Sequence, residues 1–268
     1  MSPLLLVVLI ATAVSAFCLI ASLISKTNSW VDQLWSIVPV VYLWVFAAFA
    51  GMQNGRLNLL AILVTLWGIR LTFNFARKGG YTGHEDYRWA VLRSRMSGAQ
   101  FQVFNVLFIV LFQNAVLVLI TLPAHTAYEH PSPLGIWDWM LAALFVLALA
   151  GEWTADQQQW SFHRRKSAGQ ATTRFLTTGL WRLSRHPNYF FELAQWWLVF
   201  LLGAVAAGSL LQWTVAGAAL LTAVFVGSTI LTESITRSKY PEYADYQAVT
   251  SAVVPWIPRQ PKGSAARA

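Results

Sequence analysis

Seven apolar runs, Pro3–Ile24, Leu34–Gly51, Leu57–Phe75, Phe101–Leu122, Ile136–Ala155, Tyr189–Ala207 and Gln212–Leu231, divide this chain of 268 residues. Each is close to the roughly 20 residues a helix needs to cross the hydrocarbon of a bilayer. In lipid the backbone must satisfy its own hydrogen bonds, so runs of this length fold as helices. The charge content agrees: Asp, Glu, Lys and Arg make up 11% of the chain, where a soluble domain carries about a quarter. The expectation is an all-α integral membrane protein, with about seven transmembrane helices in one bundle spanning residues 1–254. The first run has no basic segment before it and no convincing small-residue cleavage site before Lys26, so it reads as a retained helix rather than a signal peptide. Residues 255–268 are rich in Pro, Gly and Ala and read as a disordered tail. A further helix from Thr232 through Gln247 is expected at the membrane surface. One cysteine, Cys18, excludes an intrachain disulfide framework.

The cations set an orientation. Arg77, Lys78, Arg88, Arg93 and Arg95 lie in one long link, and Arg164, Arg165, Lys166, Arg174, Arg182 and Arg185 in the other. Arg237, Lys239, Arg259, Lys262 and Arg267 follow the last run, whereas the links 123–135 and 203–211 contain no Lys or Arg. Under the positive-inside rule both long links and the C-terminus are cytoplasmic and the N-terminus is outside. The net charge of +8 is then a matter of orientation and anionic ligands rather than nucleic acid. Short loops and an uncleaved first helix suit a bacterial inner membrane.

Ionisable residues in the runs are costly and mark cavities or partners. They are Asp32, Arg70, Glu152, Asp156, Glu192 and Glu233. Glu152 and Asp156 are four apart, with Gln159 and His163 continuing the stripe. Asn188 and Glu192 are also four apart, so each helix presents one polar face. The two faces suit a polar ligand between them. The densest motif is Arg185-His186-Pro187-Asn188-Tyr189, with Glu192 one turn on. Pro187 fits the first turn of a helix, placing Arg185, His186 and Asn188 where free N–H groups attract anions. The upstream arginines make a phosphorylated cofactor the natural occupant; contact with anionic lipid headgroups is the alternative. The histidines His84, His163 and His186 match no metal-ligand spacing, and no metal is expected. Glu85, Asp86 and Arg88 are expected to tie the first long link across the cofactor mouth.

The motif resembles the steroid 5α-reductase C-terminal superfamily, and within it the DUF1295 group. The likeness extends to Asp32-Gln-Leu-Trp35, Trp67-Gly-Ile-Arg-Leu71, Glu85-Asp-Tyr-Arg88, Ala155-Asp-Gln-Gln158, Thr178-Gly-Leu-Trp-Arg182 and Tyr243-Ala-Asp-Tyr246. It covers most of the chain, with the shared core at about residues 101–258. Members of known activity are membrane-embedded, NADPH-dependent reductases of a carbon–carbon double bond conjugated to a carbonyl. The resemblance therefore implies a lipophilic, steroid-like or isoprenoid-like substrate. It implies Arg165 and Arg174 at the cofactor phosphates and Asn188 and Glu192 at its nicotinamide end. Asp156, Gln158, Arg185, His186, Tyr189 and Glu233 complete the implied cofactor set. Asp32 and Gln33 fall where the steroid reductases carry Gln-Glu, and Trp67 falls at their catalytic tyrosine. With Arg70 these form the implied catalytic set, Asp32 acting as the acid that polarises the carbonyl.

Two other classes fit the same residues. Membrane methyltransferases of the isoprenylcysteine and phospholipid type share an Arg-His-Pro-x-Tyr segment and a later acid, here Glu233 before Tyr240–Tyr246, with S-adenosylmethionine as the cofactor. A lipid-binding bundle or a transporter needs only the acidic stripe.

Overall fold

The structure is a computed structural model and describes residues 1–83 and 85–259. Helices account for the regular structure of these residues. The one strand-like feature described is a parallel bridge between Ser184 and Ser251. In chain order the helices are α1 (Pro3–Ser25), α2 (Trp30–Leu34), α3 (Val38–Phe49), α4 (Gly55–Arg77) and α5 (Tyr87–Ser94). Then come α6 (Gly98–Glu129), α7 (Ile136–Ser167), α8 (Pro187–Ala207), α9 (Val215–Lys239) and α10 (Tyr243–Val249). Six of them, α1, α4, α6, α7, α8 and α9, are long and apolar enough to cross a membrane. The protein is thus a multi-pass, all-helical membrane protein.

The run Leu34–Gly51, expected to be a seventh span, forms only the 12-residue α3. At 1.5 Å per residue that is about 18 Å, short of the roughly 30 Å hydrocarbon core. The turn at 35–37 and Pro39 in the first turn of α3 separate it from α2. Two boundaries lie further along than the hydropathy suggested. α7 continues past Ala155 to Ser167, because Asp156–Lys166 are polar but contain no helix breaker. α9 likewise runs unbroken through Thr232 to Lys239; Pro241 then stops it and α10 begins afresh, in place of one surface helix over 232–247. Pro187 begins α8 as expected. Within α6, Asn105–Phe112 is wound as π-helix.

The chain divides into two compact units. The first comprises Met1–Phe145 and Trp196–Leu221. Glycines permit close helix approach in it. A Cβ on Gly68 of α4 would lie 2.6 Å from Ser36 O and 2.7 Å from Val40. Beside that contact the Ser36 and Thr72 hydroxyls bond at 2.7 Å. A Cβ on Gly217 would likewise strike the Leu119 carbonyl. At the start of α4 a buried ion pair joins Arg56 to Asp138 of α7, Nε to Oδ1 at 2.6 Å and Nη2 to Oδ2 at 2.8 Å. Ser132 Oγ and Pro133 O accept from the same guanidinium. In the link 78–97, Glu85 Oε1 accepts from Asn28 N–H and from Arg93, each within 2.8 Å. Ser29 Oγ accepts from Asp86 N–H at 3.0 Å, and Asp86 pairs with Arg88 at 2.7 Å. These acids pin the link to the Asn28-Ser29 turn. His84 lies outside the described residues.

The second unit comprises Val146–Gln195 and the chain from Thr222 on. Its α7 and α8 pack tightly, since a Cβ on Gly151 would fall 2.5 Å from the Phe191 ring.

Candidate functional site

In the second unit one residue of the stripe read on α7 bonds to α8. Gln195 Nε2 of α8 donates to Glu152 Oε2 of α7 at 2.7 Å. The turn Gly179–Arg182 doubles the chain back: Trp181 Nε1 donates to Ala155 O, and Leu180 N–H donates to Gln158 Oε1 at 2.9 Å. The two helices therefore run antiparallel, and one turn from the Gln195–Glu152 bond brings Asp156 level with Glu192. Asp156 is 2% and Glu192 4% exposed. Asn188 begins the same face of α8, and its Oδ1 is buried with no donor from the protein. Gly179 has φ of +63°, a backbone state that costs a residue with a Cβ. Any Cβ there would also lie 2.6 Å from the Gln158 side chain. Gln158 thus holds the turn that delivers the motif.

The motif itself is built around Glu233 of α9. Arg185 donates Nε to Glu233 Oε1 at 2.6 Å and Nη2 to Oε2 at 3.0 Å. His186 Nε2 lies 3.2 Å from Oε1, and Gln247 Nε2 donates to Oε2 at 2.8 Å. Arg185 Nη1 donates to the carbonyls of Gln247 and Thr250. Four of the five N–H donors of a guanidinium are thereby engaged. The backbone follows: Arg185 N–H donates to Ser251 O at 2.8 Å and His186 N–H to Ala252 O at 3.0 Å. Ser184 Oγ donates to Val253 O at 2.7 Å. Trp256 N–H donates to Leu183 O and Arg259 N–H to Val249 O, so residues 255–259, expected to be disordered, are held by backbone bonds. Residues 260–268, the rest of the expected tail, lie outside the described residues. Along one edge of this clamp lies a cavity of about 430 Å³ lined by Arg185, Gln247, Thr250, Trp256 and Arg259.

Arg185, His186 and Glu233, all expected at a cofactor, are thus engaged with one another and with α10. The sequence reading had Tyr243 and Tyr246 only within the family likeness and the methyltransferase pattern, and it left out Gln247. Tyr243 OH lies 3.5 Å from Glu233 Oε1, and Tyr246 OH donates to Trp181 O. Burial raises both phenols well above the usual range, helped by Glu233 at Tyr243 and by Tyr243 at Tyr246. Their i, i+3, i+4 spacing, one face of a helix, was the available signal. Tyr189 stacks on His186 with ring centres 5.0 Å apart. Arg165 is exposed on α7. Arg174, also exposed, pairs with Glu242 at 3.3 Å. Lys166, Arg174 and Lys239 surround the Tyr240 ring at 4.9, 5.9 and 5.5 Å. The hydrogen bond from Lys166, with the charges of Lys166 and Lys239, lowers the Tyr240 phenol.

The four catalytic candidates lie in the first unit. Asp32 on α2 accepts from Trp89 Nε1 at 2.9 Å, with Asp86 and Arg88 of the neighbouring link in electrostatic reach. Burial and, second, the Asp86 charge push the Asp32 carboxyl above the usual carboxylate range. Gln33 accepts the Tyr81 hydroxyl on its backbone carbonyl at 3.0 Å. Trp67 and Arg70 are buried on α4, and Trp67 packs edge-on against Trp196 at 4.9 Å.

Fold and site define a helical membrane protein whose polar cluster is organised on an Arg-His-Pro-Asn-Tyr turn. The chain belongs to the family described as "Protein of unknown function (DUF1295)", whose model matches residues 17–250; this is the steroid 5α-reductase-like group. It is 37% identical over 247 residues to Uncharacterized protein C594.04c of Schizosaccharomyces pombe, a match spanning 83% of this chain and 71% of that protein. No solved structure matches. A eukaryotic relative lends no support to the expectation of a bacterial inner membrane.

Proposed function

We propose that this protein is an NADPH-dependent reductase of a carbon–carbon double bond conjugated to a carbonyl, acting on a lipophilic molecule. The observation that carries the reading is the Asn188 amide. Its Oδ1 is buried at the start of a helix, beside the Asp156 and Glu192 stripes, and lacks a protein donor. An unpaired buried acceptor is costly, and the carboxamide N–H of a nicotinamide has the matching polarity. The exposed Arg165, with Arg174 at the C-terminal side of the same helix, suits the phosphates. These residues fit the cofactor. NADPH held by these residues would bring hydride-transfer chemistry to an enone. Asn188 and Glu192 would hold the ring end, while Gln158 keeps the turn and α8 in register.

The test is ligand-induced thermal stabilisation. A ligand at a hundred times its Kd adds about 2.7 kcal/mol. NADPH is expected to stabilise the wild-type chain, and Asn188→Leu and Glu192→Gln are expected to abolish the effect with the fold retained. Unchanged NADPH response in both variants rules the reading out. Screening NADPH oxidation against a panel of enones then identifies the substrate class.

One observation favours a second reading. The Arg185-His186 pair is joined to the later acid Glu233, the two elements an S-adenosylmethionine-dependent membrane methyltransferase of the isoprenylcysteine type would combine. Stabilisation by S-adenosylhomocysteine without any by NADPH reverses the order.

A further inference from the structure

The first unit contains buried acceptors that the proposed reductase does not use. Asn105 and Asn114 of α6 are 1% and 2% exposed, and the Oδ1 of each has no protein donor. Their amide orientations follow from their neighbours. Ser22 Oγ gives its proton to Leu19 O at 2.8 Å, so towards Asn105 it can only accept, and it takes Nδ2–H at 3.1 Å. Asn114 Nδ2 donates to Val110 O at 2.8 Å, and a carbonyl can only accept. Both Oδ1 atoms are therefore the groups left over.

The π-helix makes them neighbours in direction. Nine residues of α-helix turn through about 900°, which puts the two ends on opposite faces. Winding Asn105–Phe112 as π-helix, at about 4.4 residues per turn, brings them to within about 50° of each other. The face they share looks towards α1, since Asn105 bonds Ser22, and Cys18 packs with Ile109 and Val110 between the two asparagines. α3 packs against both α1 and α6 and carries a third such group. The Tyr42 hydroxyl is fully buried without a partner and lies within electrostatic reach of Cys18. α1, on this side, is the least buried of the six long apolar helices, burying only Pro3, Val7, Cys18 and Ser22.

We propose that this face binds the hydroxyl group of a membrane-dissolved lipid alcohol. The hydroxyl gives its proton to an asparagine Oδ1 and can accept from Tyr42, while the hydrocarbon body lies against α1. A hydrogen-bond donor is required because the two amide oxygens can only accept. An ether or hydrocarbon of the same length leaves them unpaired, and that difference is the source of selectivity. The site stands independently of the NADPH reading, since none of its residues lies in the second unit.

The experiment compares 1-dodecanol with its methyl ether, at equal mole fraction in detergent micelles, on the purified full chain without cofactor. The alcohol is expected to raise Tm by about 2–4 °C or more and the ether to leave it unchanged. Asn105→Leu combined with Asn114→Leu replaces each amide by an apolar group of similar size. This variant is expected to fold at least as stably as the wild type while losing the alcohol–ether difference. Equal shifts by the two probes in the wild type overturn the proposal, as does a difference that persists in the double variant. The wild-type comparison needs no variant, so misfolding of the substituted chain leaves the test intact. NADPH stabilisation measured on the same wild-type sample reports separately on the reductase reading.

Discussion

Replacing Glu233 by alanine separates a structural role from a ligand-binding one. The carboxylate accepts from Arg185 at 2.6 and 3.0 Å, Gln247 at 2.8 Å and His186 at 3.2 Å. The Arg185 and Glu233 side chains are 10% and 11% exposed, so the pair is mostly shielded from water and salt. Removing one partner of a buried ion pair costs about 3–5 kcal/mol, chiefly by stranding the other charge. Arg185 keeps its bonds to the Gln247 and Thr250 carbonyls, which places Glu233→Ala at the low end, about 3 kcal/mol. For a chain of this size that corresponds to a Tm lowered by about 6–12 °C. The assay is thermal unfolding of detergent-solubilised protein, repeated in an Arg185→Met background. There the same substitution should cost at least about 1.5 kcal/mol less, because the stranded charge is gone. A loss below about 1 kcal/mol, the range of an exposed salt bridge, would refute the clamp. So would an equal loss in the two backgrounds.

Other outcomes follow from particular contacts. Arg56→Met alone should lower stability by about 3–5 kcal/mol, and adding Asp138→Leu should restore most of it, read by the same unfolding assay. Gly68→Ala should cost about 1–3 kcal/mol, since the added carbon meets the Ser36 carbonyl at 2.6 Å. Asp32→Asn keeps an acceptor for Trp89 and should retain the fold. Because the folded Asp32 carboxyl titrates above its unfolded value, its contribution to stability is complete below about pH 4 and is lost as pH rises towards the raised folded value. That part of the pH dependence of Tm should vanish in Asp32→Asn; an unchanged pH profile would count against a protonated Asp32.

The helices were legible because lipid leaves so few alternatives: a long apolar run has to be a helix. Their ends were not, since Asp156–Lys166 and Thr232–Lys239 are polar and nothing in hydropathy distinguishes a polar helix from a link. The Asn188–Glu192 face was readable from a spacing of four, but Gln195, the α8 residue that bonds Glu152, was not among the residues that spacing picked out. The clamp was hidden for a different reason. Arg185 and Glu233 stand 48 residues apart, and an arginine beside a helix start looks the same whether its partner is a phosphate or a distant carboxylate. The turn of Asn105 towards Asn114 was equally invisible, because a π segment has no composition of its own.

The Arg56–Asp138 pair also bears on how the chain is made. The two residues are 82 positions apart, and ribosomes add about 5–20 residues per second. For about 4–16 s after its synthesis Arg56 has no carboxylate to meet at the start of α4. During that interval the early helices carry an unneutralised cation and cannot settle into their final packing. Assembly of the first unit must wait until α7 has entered the membrane.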